Sequence, residues 1–297
     1  MINIITSLEV ENIARSRVCY SVRSNNKSVA SALSKGYTIT NTCQAHIANN
    51  IDMLNNELFN MTLLDNIKLK GNRKLGNIPS ICFPNIFIQS SFMNLYHNNP
   101  QLKNNAAANI LMGYFSSHRM CHNCGRCSGL CYNNKFHYKY RKKAISELRI
   151  LLAYILYPNE LANKVIEVAK KSKTHLFRIN QDGEIHSEEQ FSWWVDICTK
   201  APNTEFYVYT KAFELFEECL QKYAIPSNFH INMSVIEGQE EQLKKYSTLY
   251  SGNKFKMVTS IPKGSTTTCT GNCSTCGRLC MRDLPKDNNT IYCLYHN

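Results

Sequence analysis

The chain has 297 residues, of which 43% are hydrophobic and 19% are charged, and its formal net charge is +12 at pH 7. This composition is typical of a globular protein with one large domain, or one domain and an extension, and it excludes a disordered chain. No window approaches the roughly 18 to 20 apolar residues of a membrane span, and the N-terminus lacks the pattern of a secretion signal. We therefore expect a cytoplasmic protein that has no membrane partner.

The positive charge favours an anionic partner, most often nucleic acid. The chain also has 14 cysteines, and thiolates that bind a metal would balance part of that charge. Disulfides are disfavoured in the cytosol, so clustered cysteines indicate metal or redox chemistry. Cys293 follows the second cluster closely enough to be a spare ligand. The scattered cysteines are expected to be small core residues: Cys19, Cys43, Cys82, Cys198 and Cys219.

In chain order, residues 1–65 have loose helical periodicity and predict a mainly helical N-terminal extension. Residues 66–297 are predicted to form an α/β domain with two four-cysteine loops. Two amphipathic helices, Ala144–Tyr157 and Glu160–Lys171, are separated by Pro158.

From Thr174 onward, strand and helix patterns alternate. Four strands are predicted, at His175–Asn180, Glu205–Lys211, Asn228–Val235 and Lys254–Pro262. A helix is predicted after each of the first three strands. The first begins at a capping box, Ser187 to Gln190, and ends at about Lys200; the other two are Phe213–Tyr223 and Glu240–Tyr250. This alternation predicts a parallel sheet, either open or curled into a partial (β/α) barrel.

Polar residues follow the predicted strands, at the end of a parallel sheet where function is usually located. We expect this rim to face a substrate, with Arg178 or Lys211 as its anion-binding residue. The candidate catalytic residues are Arg178, Asp182, Glu184, Tyr209 and Lys211, and the candidate cofactor-binding residues are Asn180, Gly183, Asn232 and Ser234.

Two compact thiol loops flank the βα region. The first, Cys121, Cys124, Cys127 and Cys131, has C-x2-C-x2-C-x3-C spacing; the second, Cys269, Cys273, Cys276 and Cys280, has C-x3-C-x2-C-x3-C spacing. Structural zinc usually takes two C-x2-C pairs a dozen or more residues apart. Four thiols in one loop suit a cuboidal 4Fe–4S cluster better, because each cysteine reaches a different iron. The spacing favours one or two iron–sulfur clusters, which share ligands or stand apart, and leaves zinc as the alternative.

The segment Lys135–Lys143, KFHYKYRKK, interleaves basic residues with Phe136, Tyr138 and Tyr140. Aromatic side chains stack on unpaired bases while Lys and Arg neutralise phosphates, so this segment is a candidate nucleic-acid surface. A solvated helix start with inward-packed aromatics is the alternative interpretation.

Several segments resemble the "gene product 88" family of phage- and plasmid-borne proteins. They are GNRKLGNIPS (Gly71–Ser80), CSGLCYNNK (Cys127–Lys135), LFRINQDGEIHSEEQF (Leu176–Phe191), PNTEFYVYTK (Pro202–Lys211) and the terminal cysteine loop. The resemblance covers about residues 66–285. The resemblance implies a phage or plasmid origin and the α/β architecture predicted above. It implies no activity.

A weaker resemblance is to radical S-adenosylmethionine barrels. The spacing of Cys269, Cys273 and Cys276 matches their cluster motif, and Asp182-Gly183-Glu184 is similar to their Gly-Gly-Glu motif. It implies S-adenosylmethionine as a cofactor and redox or radical chemistry at the rim. From a different class, a zinc-stabilised nucleic-acid-binding protein without catalytic activity is the alternative function.

Overall fold

The structure is a computed structural model that describes residues 39–72, 74–122, 131, 140, 142–241, 244, 252–273, 276, 279–281, 284 and 289–294. The contacts divide the chain into two compact units. The helical unit consists of the described residues up to Ile67 and from Phe83 to Pro158. The sheet unit consists of Lys68–Cys82 and the described residues from Asn159 onward.

The helical unit is built from five α-helices within the described residues, and helix α5 packs against α1, α2 and α4. The predicted helical N-terminal segment is confirmed from residue 39, and residues 1–38 lie outside the described part. The predicted helix Ala144–Tyr157 is confirmed as α5. The helices are α1 (Ile39–Ala48), α2 (Ile51–Phe59), α3 (Ile86–Asn98), α4 (Ala106–Ser117) and α5 (Lys143–Leu156), with a 3₁₀ helix at Pro100–Asn104.

Asparagine caps three of these helices, which gives the Asn-rich sequence a local role. The Asn85 side chain accepts hydrogen bonds from the Phe87 and Ile88 amides at the start of α3. Asn99 and Asn105 do the same for the 3₁₀ helix and α4. Each cap pairs a backbone donor that the helix itself leaves unsatisfied.

A buried ion pair joins α2 to α5. The Arg149 guanidinium donates two hydrogen bonds to the Glu57 carboxylate, at 2.6 and 2.7 Å, and both residues are buried. Because both groups are buried, water could solvate little of either charge if its partner were removed. Each charge is therefore stabilised mainly by the other.

Helix α6 (Pro158–Lys171), which lies in the sheet unit from Asn159 onward, confirms the predicted helix Glu160–Lys171. Pro158 is its first residue, a position where proline is favoured. Five parallel strands follow in the described residues, in chain order across the sheet. They are β1 (Leu176–Arg178), β2 (Glu205–Thr210), β3 (Phe229–Ile236), β4 (Lys254–Val258) and β5 (Thr290–Leu294), with α7 (Glu188–Lys200) and α8 (Phe213–Lys222) after β1 and β2. The predicted α/β class is confirmed as a partial (β/α) barrel.

The two faces of the sheet differ because side chains alternate along each strand. Phe177 of β1 and Phe206 of β2 pack on Trp194 of α7, so this face is covered by helices. The alternate residues of each strand point to the opposite face of the sheet, which we call the inner face. It carries Tyr207 and Tyr209 of β2, and the strand register adds Arg178, Asn232, Ser234, Phe255, Met257, Ile291 and Cys293.

Strand β5 was not predicted, and two further segments extend the sheet. Ser80 forms a parallel bridge with Arg178 beside β1, and Thr268 forms one with Tyr292 beside β5. The four predicted strands are confirmed, as is the capping box, in which the Ser187 hydroxyl accepts from the Gln190 amide at 3.2 Å. The predicted helix Glu240–Tyr250 lies largely outside the described residues. No helix in the described ranges is long and apolar enough to cross a membrane.

Replacing Glu57 with Ala should lower the free energy of unfolding of the helical unit by about 3 to 5 kcal/mol, because Arg149 is left buried and unpaired. Asp65→Ala, which removes an exposed carboxylate from the same unit, should change it by less than about 0.5 kcal/mol. Urea denaturation followed by circular dichroism measures both. Equal losses in the two variants would contradict the role of the ion pair.

Candidate metal centre

The second cysteine loop connects β4 to β5 and lies on the inner face. Its first thiol is placed by the sheet, since the Cys269 amide donates to the Tyr292 carbonyl at 2.7 Å. The Cys273 amide donates to the Lys74 carbonyl at 2.9 Å. The loop therefore reaches from the β5 edge to the Gly71–Gly76 turn, whose Leu75 packs with Leu176 and Tyr207 on the β1–β2 side.

Cys280, the last thiol of the loop, is buried between β2 and β3. Its sulfur shares a hydrogen bond of 2.5 Å with the Tyr209 hydroxyl. Its carbonyl accepts from the Asn232 side-chain amide at 3.1 Å, and the same amide group donates to the Val208 carbonyl at 3.2 Å. Cys280 is thus fixed to the inner face through both its side chain and its backbone.

Cys293 brings a fifth thiol to the same place from β5. It lies in one buried cluster with Phe255, Ile291 and Cys280, and Cys269 packs against that cluster. The parallel bridge between Thr268 and Tyr292 sets Cys269 and Cys293 next to each other. The structure therefore gathers thiols from the loop and from the strand on one apolar surface.

Two cations lie beside these thiols. The Arg178 guanidinium carbon is 3.9 Å from the centre of the Tyr209 ring and 5.2 Å from that of Tyr207, an arrangement that favours a positive charge over an aromatic face. The charges of Arg178 and Lys74 both act to lower the pKa values of Cys269 and Cys273. Negative charge on the thiol loop is therefore compensated locally.

The thiols nevertheless differ in pKa. The contact with Cys293 lowers the pKa of Cys269 to about 6 against the opposing effect of burial, with smaller contributions from the Gly271 backbone and then from the charges of Lys74 and Arg178. The same contact and burial raise the pKa of Cys293 well above its usual range. Burial raises the pKa of Cys280 to about 12 and also raises that of Cys273. Cys269 is the thiol that its surroundings most favour as a thiolate.

The residues fit a thiolate-bound cluster in their chemistry: several thiols, apolar neighbours and two compensating cations. Across the described ranges, no three His, Cys, Asp or Glu side chains are arranged to hold one metal ion. The predicted ligands Cys269, Cys273, Cys276 and Cys280 are all described, and their role as ligands stays a prediction.

The first cysteine loop belongs to the helical unit and is described only at Cys121 and Cys131, while Cys124 and Cys127 lie outside the described residues. Its entrance is anchored by buried Gln89 of α3. The Gln89 amide group donates to the carbonyls of Phe115 and His118 at 2.9 and 2.6 Å, and its oxygen accepts from the Met120 amide at 3.1 Å.

The polar rim forms at the carboxyl ends of β1 to β3. The Lys211 amide donates to the Glu184 carboxylate at 3.0 Å, and the Lys211 ammonium donates to the Ser234 hydroxyl at 3.2 Å. Buried Asp182 accepts from the Gly183 amide at 2.9 Å. Of the predicted rim residues, the structure thus brings Glu184, Lys211 and Ser234 together.

Asn180 has a left-handed backbone (φ 49°) and is 3% exposed. Within the described part of the chain its side-chain amide has no hydrogen-bond partner. The other predicted residues lie with the thiols: Arg178 and Tyr209 stack beside the loop, and Asn232 bonds Cys280.

Tyr207 and Lys74 were not predicted as site residues. Tyr207 could have been found by alternation, because it shares a face with Tyr209 in the segment Glu205–Lys211. Lys74 lies in the GNRKLG turn, and its carbonyl accepts from the Cys273 amide of the second cysteine loop. A contact between segments so far apart in the chain gives no pattern in the sequence around Lys74. Of the basic segment Lys135–Lys143, only Tyr140, Lys142 and Lys143 are described, so its predicted surface lies mostly outside the described residues.

Fold and site together define an α/β protein with a partial barrel and a thiol-lined inner face. The sequence model described as Gene product 88 matches residues 90–254, which is more than half of the chain. The chain belongs to the Gene product 88 family. The match includes the first cysteine loop and ends at Lys254, before the second. No curated protein and no solved structure matches the chain.

Glu184 gives a pH-dependent prediction for the rim. Burial raises its pKa from 4.5 to about 6, against the opposing hydrogen bond from the Lys211 amide. Since the folded carboxyl holds its proton to higher pH than the unfolded one, the folded state binds more protons between these values. Rising pH should therefore lower the free energy of unfolding by roughly 2 kcal/mol across this window.

Glu184→Gln has no such titration, so its stability relative to that of the native chain should increase from pH 4.5 to pH 7. Denaturation midpoints measured at several pH values test this expectation. A constant difference between the two proteins across the window would contradict it.

Proposed function

We propose that this Gene product 88 protein is an iron–sulfur protein whose second cysteine loop holds a cluster on the inner face of the partial barrel. The supporting observation is that several cysteine thiols lie close together. Cys269, Cys280 and Cys293 gather around one apolar cluster that includes Phe255 and Ile291. Such surroundings limit water and suit soft thiolate ligands.

Charge compensation also supports the proposal. A cluster with four thiolate ligands is an anion, and burying it requires positive charge or hydrogen-bond donors nearby. Arg178 and Lys74 supply the charge, and the Tyr209 hydroxyl lies within hydrogen-bond distance of the Cys280 sulfur. We propose that Cys121, Cys124, Cys127 and Cys131 hold a second cluster in the helical unit.

The finer proposal is a redox enzyme that acts at the polar rim. When bound, the cluster would supply the electron-transfer chemistry. The Lys211 ammonium, oriented by Ser234, is suited to bind an anionic group of a substrate, and Glu184 is suited to exchange a proton because its pKa is about 6. The Cys269, Cys273 and Cys276 spacing and the Asp182-Gly183-Glu184 motif favour S-adenosylmethionine as a further cofactor. The family resemblance favours a phage or plasmid gene product in the host cytosol.

The alternative function is zinc-stabilised nucleic-acid binding without catalysis. It is supported by the net charge of +12 and by the basic, aromatic composition of Lys135–Lys143. It requires stoichiometric zinc in the isolated protein and nucleic-acid affinity that falls steeply with salt.

Loop variants test the proposed cluster. Protein isolated without oxygen should contain iron and acid-labile sulfide, and Cys269→Ala/Cys273→Ala should lose about four irons per chain. Cys198→Ala/Cys219→Ala, which removes two buried helix cysteines of the same unit, should lose none. Iron and sulfide assays with visible spectra measure the difference. A native chain without iron, or equal iron in both variants, would contradict the proposal.

Arg178 gives a second test, because positive charge beside a cluster stabilises its reduced form. Arg178→Gln should shift the reduction potential to more negative values, and Arg178→Lys should shift it less. The potentials are measured by redox titration followed by electron paramagnetic resonance (EPR). A similar change at exposed Lys200, as Lys200→Gln, is the control and should leave the potential unchanged.

A further inference from the structure

The sheet fixes the direction in which Cys293 points. In the β4–β5 register Cys293 is opposite Met257, and Ile291, two residues earlier, is opposite Phe255. All four belong to the inner-face cluster, and Ile291 is fully buried. Turning Cys293 away would require a register slip that also exposes Ile291, so the thiol is held toward the loop.

The backbone also fixes the distance between Cys293 and the loop. The hydrogen bonds from the Cys269 amide to the Tyr292 carbonyl and from the Tyr292 amide to the Thr267 carbonyl, at 2.7 and 2.9 Å, join the loop start to β5. Cys269 and Cys293 are neighbours as a result of strand pairing, and Cys269 packs against the buried cluster that contains Cys293. The contact does not depend on a side-chain rotamer alone.

Cys280 occupies the other side of the same group. It shares the buried cluster with Cys293, and its thiol is already engaged by the Tyr209 hydroxyl at 2.5 Å. The loop and strand β5 together therefore present five thiols where a four-iron cluster takes four. Cys269, Cys273 and Cys276 come first in the loop, so Cys280 and Cys293 are the two candidates for the last iron.

We propose that Cys293 is a fifth thiol of this metal centre and that Cys280 and Cys293 are interchangeable ligands of one iron. Cys269, Cys273 and Cys276 bind the other three. The inference rests on the proposed iron–sulfur function. The hydrogen bond from Tyr209 holds the Cys280 thiol when Cys293 is bound, and the hydrophobic cluster holds Cys293 when Cys280 is bound.

Single and double variants of the full chain test the exchange. Cys280→Ala and Cys293→Ala should each keep the iron and sulfide of the native chain, because one thiol replaces the other. Cys280→Ala/Cys293→Ala should lose about four irons per chain. The matched control, Cys198→Ala/Cys219→Ala, removes two buried thiols of the same unit and should lose no iron.

EPR spectra of the reduced proteins give a readout that does not depend on activity. Cys280→Ala and Cys293→Ala should differ from each other, since a different thiol binds the last iron. Tyr209→Phe keeps every thiol and releases Cys280 from its hydrogen bond, so its spectrum should match that of Cys293→Ala.

Loss of about four irons from Cys280→Ala alone would overturn the inference, and so would full iron in the double variant. If Cys280→Ala does not fold, Cys293→Ala still decides: loss of about four irons from this variant would overturn the inference, because Cys280 would have failed to replace Cys293. A native chain that binds no iron would instead overturn the proposed function.

Discussion

The inner face of the parallel sheet is the constraint on which the sheet unit depends. Alternation along β2 sends Phe206 to the helices and Tyr207 and Tyr209 to the opposite face, where no crossover helix can cover them. In a partial barrel this face must be covered by another segment, or large aromatic side chains would meet water. The second cysteine loop covers part of this face, and its cysteines therefore lie against the sheet.

The electrostatic arrangement follows from that placement. Thiols placed in an apolar environment resist ionisation, as the raised pKa values of Cys273 and Cys280 indicate. Arg178, held over the Tyr209 ring, and Lys74 supply the opposite influence from fixed positions. The hydrogen bond between Asn232 and the Cys280 carbonyl connects the loop to β3, the strand whose Ser234 contacts Lys211 of the rim. Loop and rim are thus neighbouring parts of one face.

Much of this architecture could be predicted from local pattern. Strand–helix alternation predicted four of the strands, and the Ser187–Gln190 capping box predicted the start of α7. The expectation that polar residues after the strands meet at one rim holds for Glu184, Lys211 and Ser234. Strand β5 was missed because it follows the second cysteine loop, outside the strand–helix alternation on which the prediction was based. The contact of Lys74 was missed because it depends on pairing between distant segments, which leaves no periodic signal in the chain. Cys293 was recognised as a possible spare ligand from its position in the chain, but the strand pairing that sets it beside Cys269 was not predicted.

X-ray absorption at the iron and zinc edges, on full-length protein isolated without oxygen, tests the central claim most directly. The account predicts iron with sulfur ligands and neighbouring irons, as in a cuboidal cluster, and little zinc. Stoichiometric zinc surrounded by four sulfurs, with no iron, would contradict it.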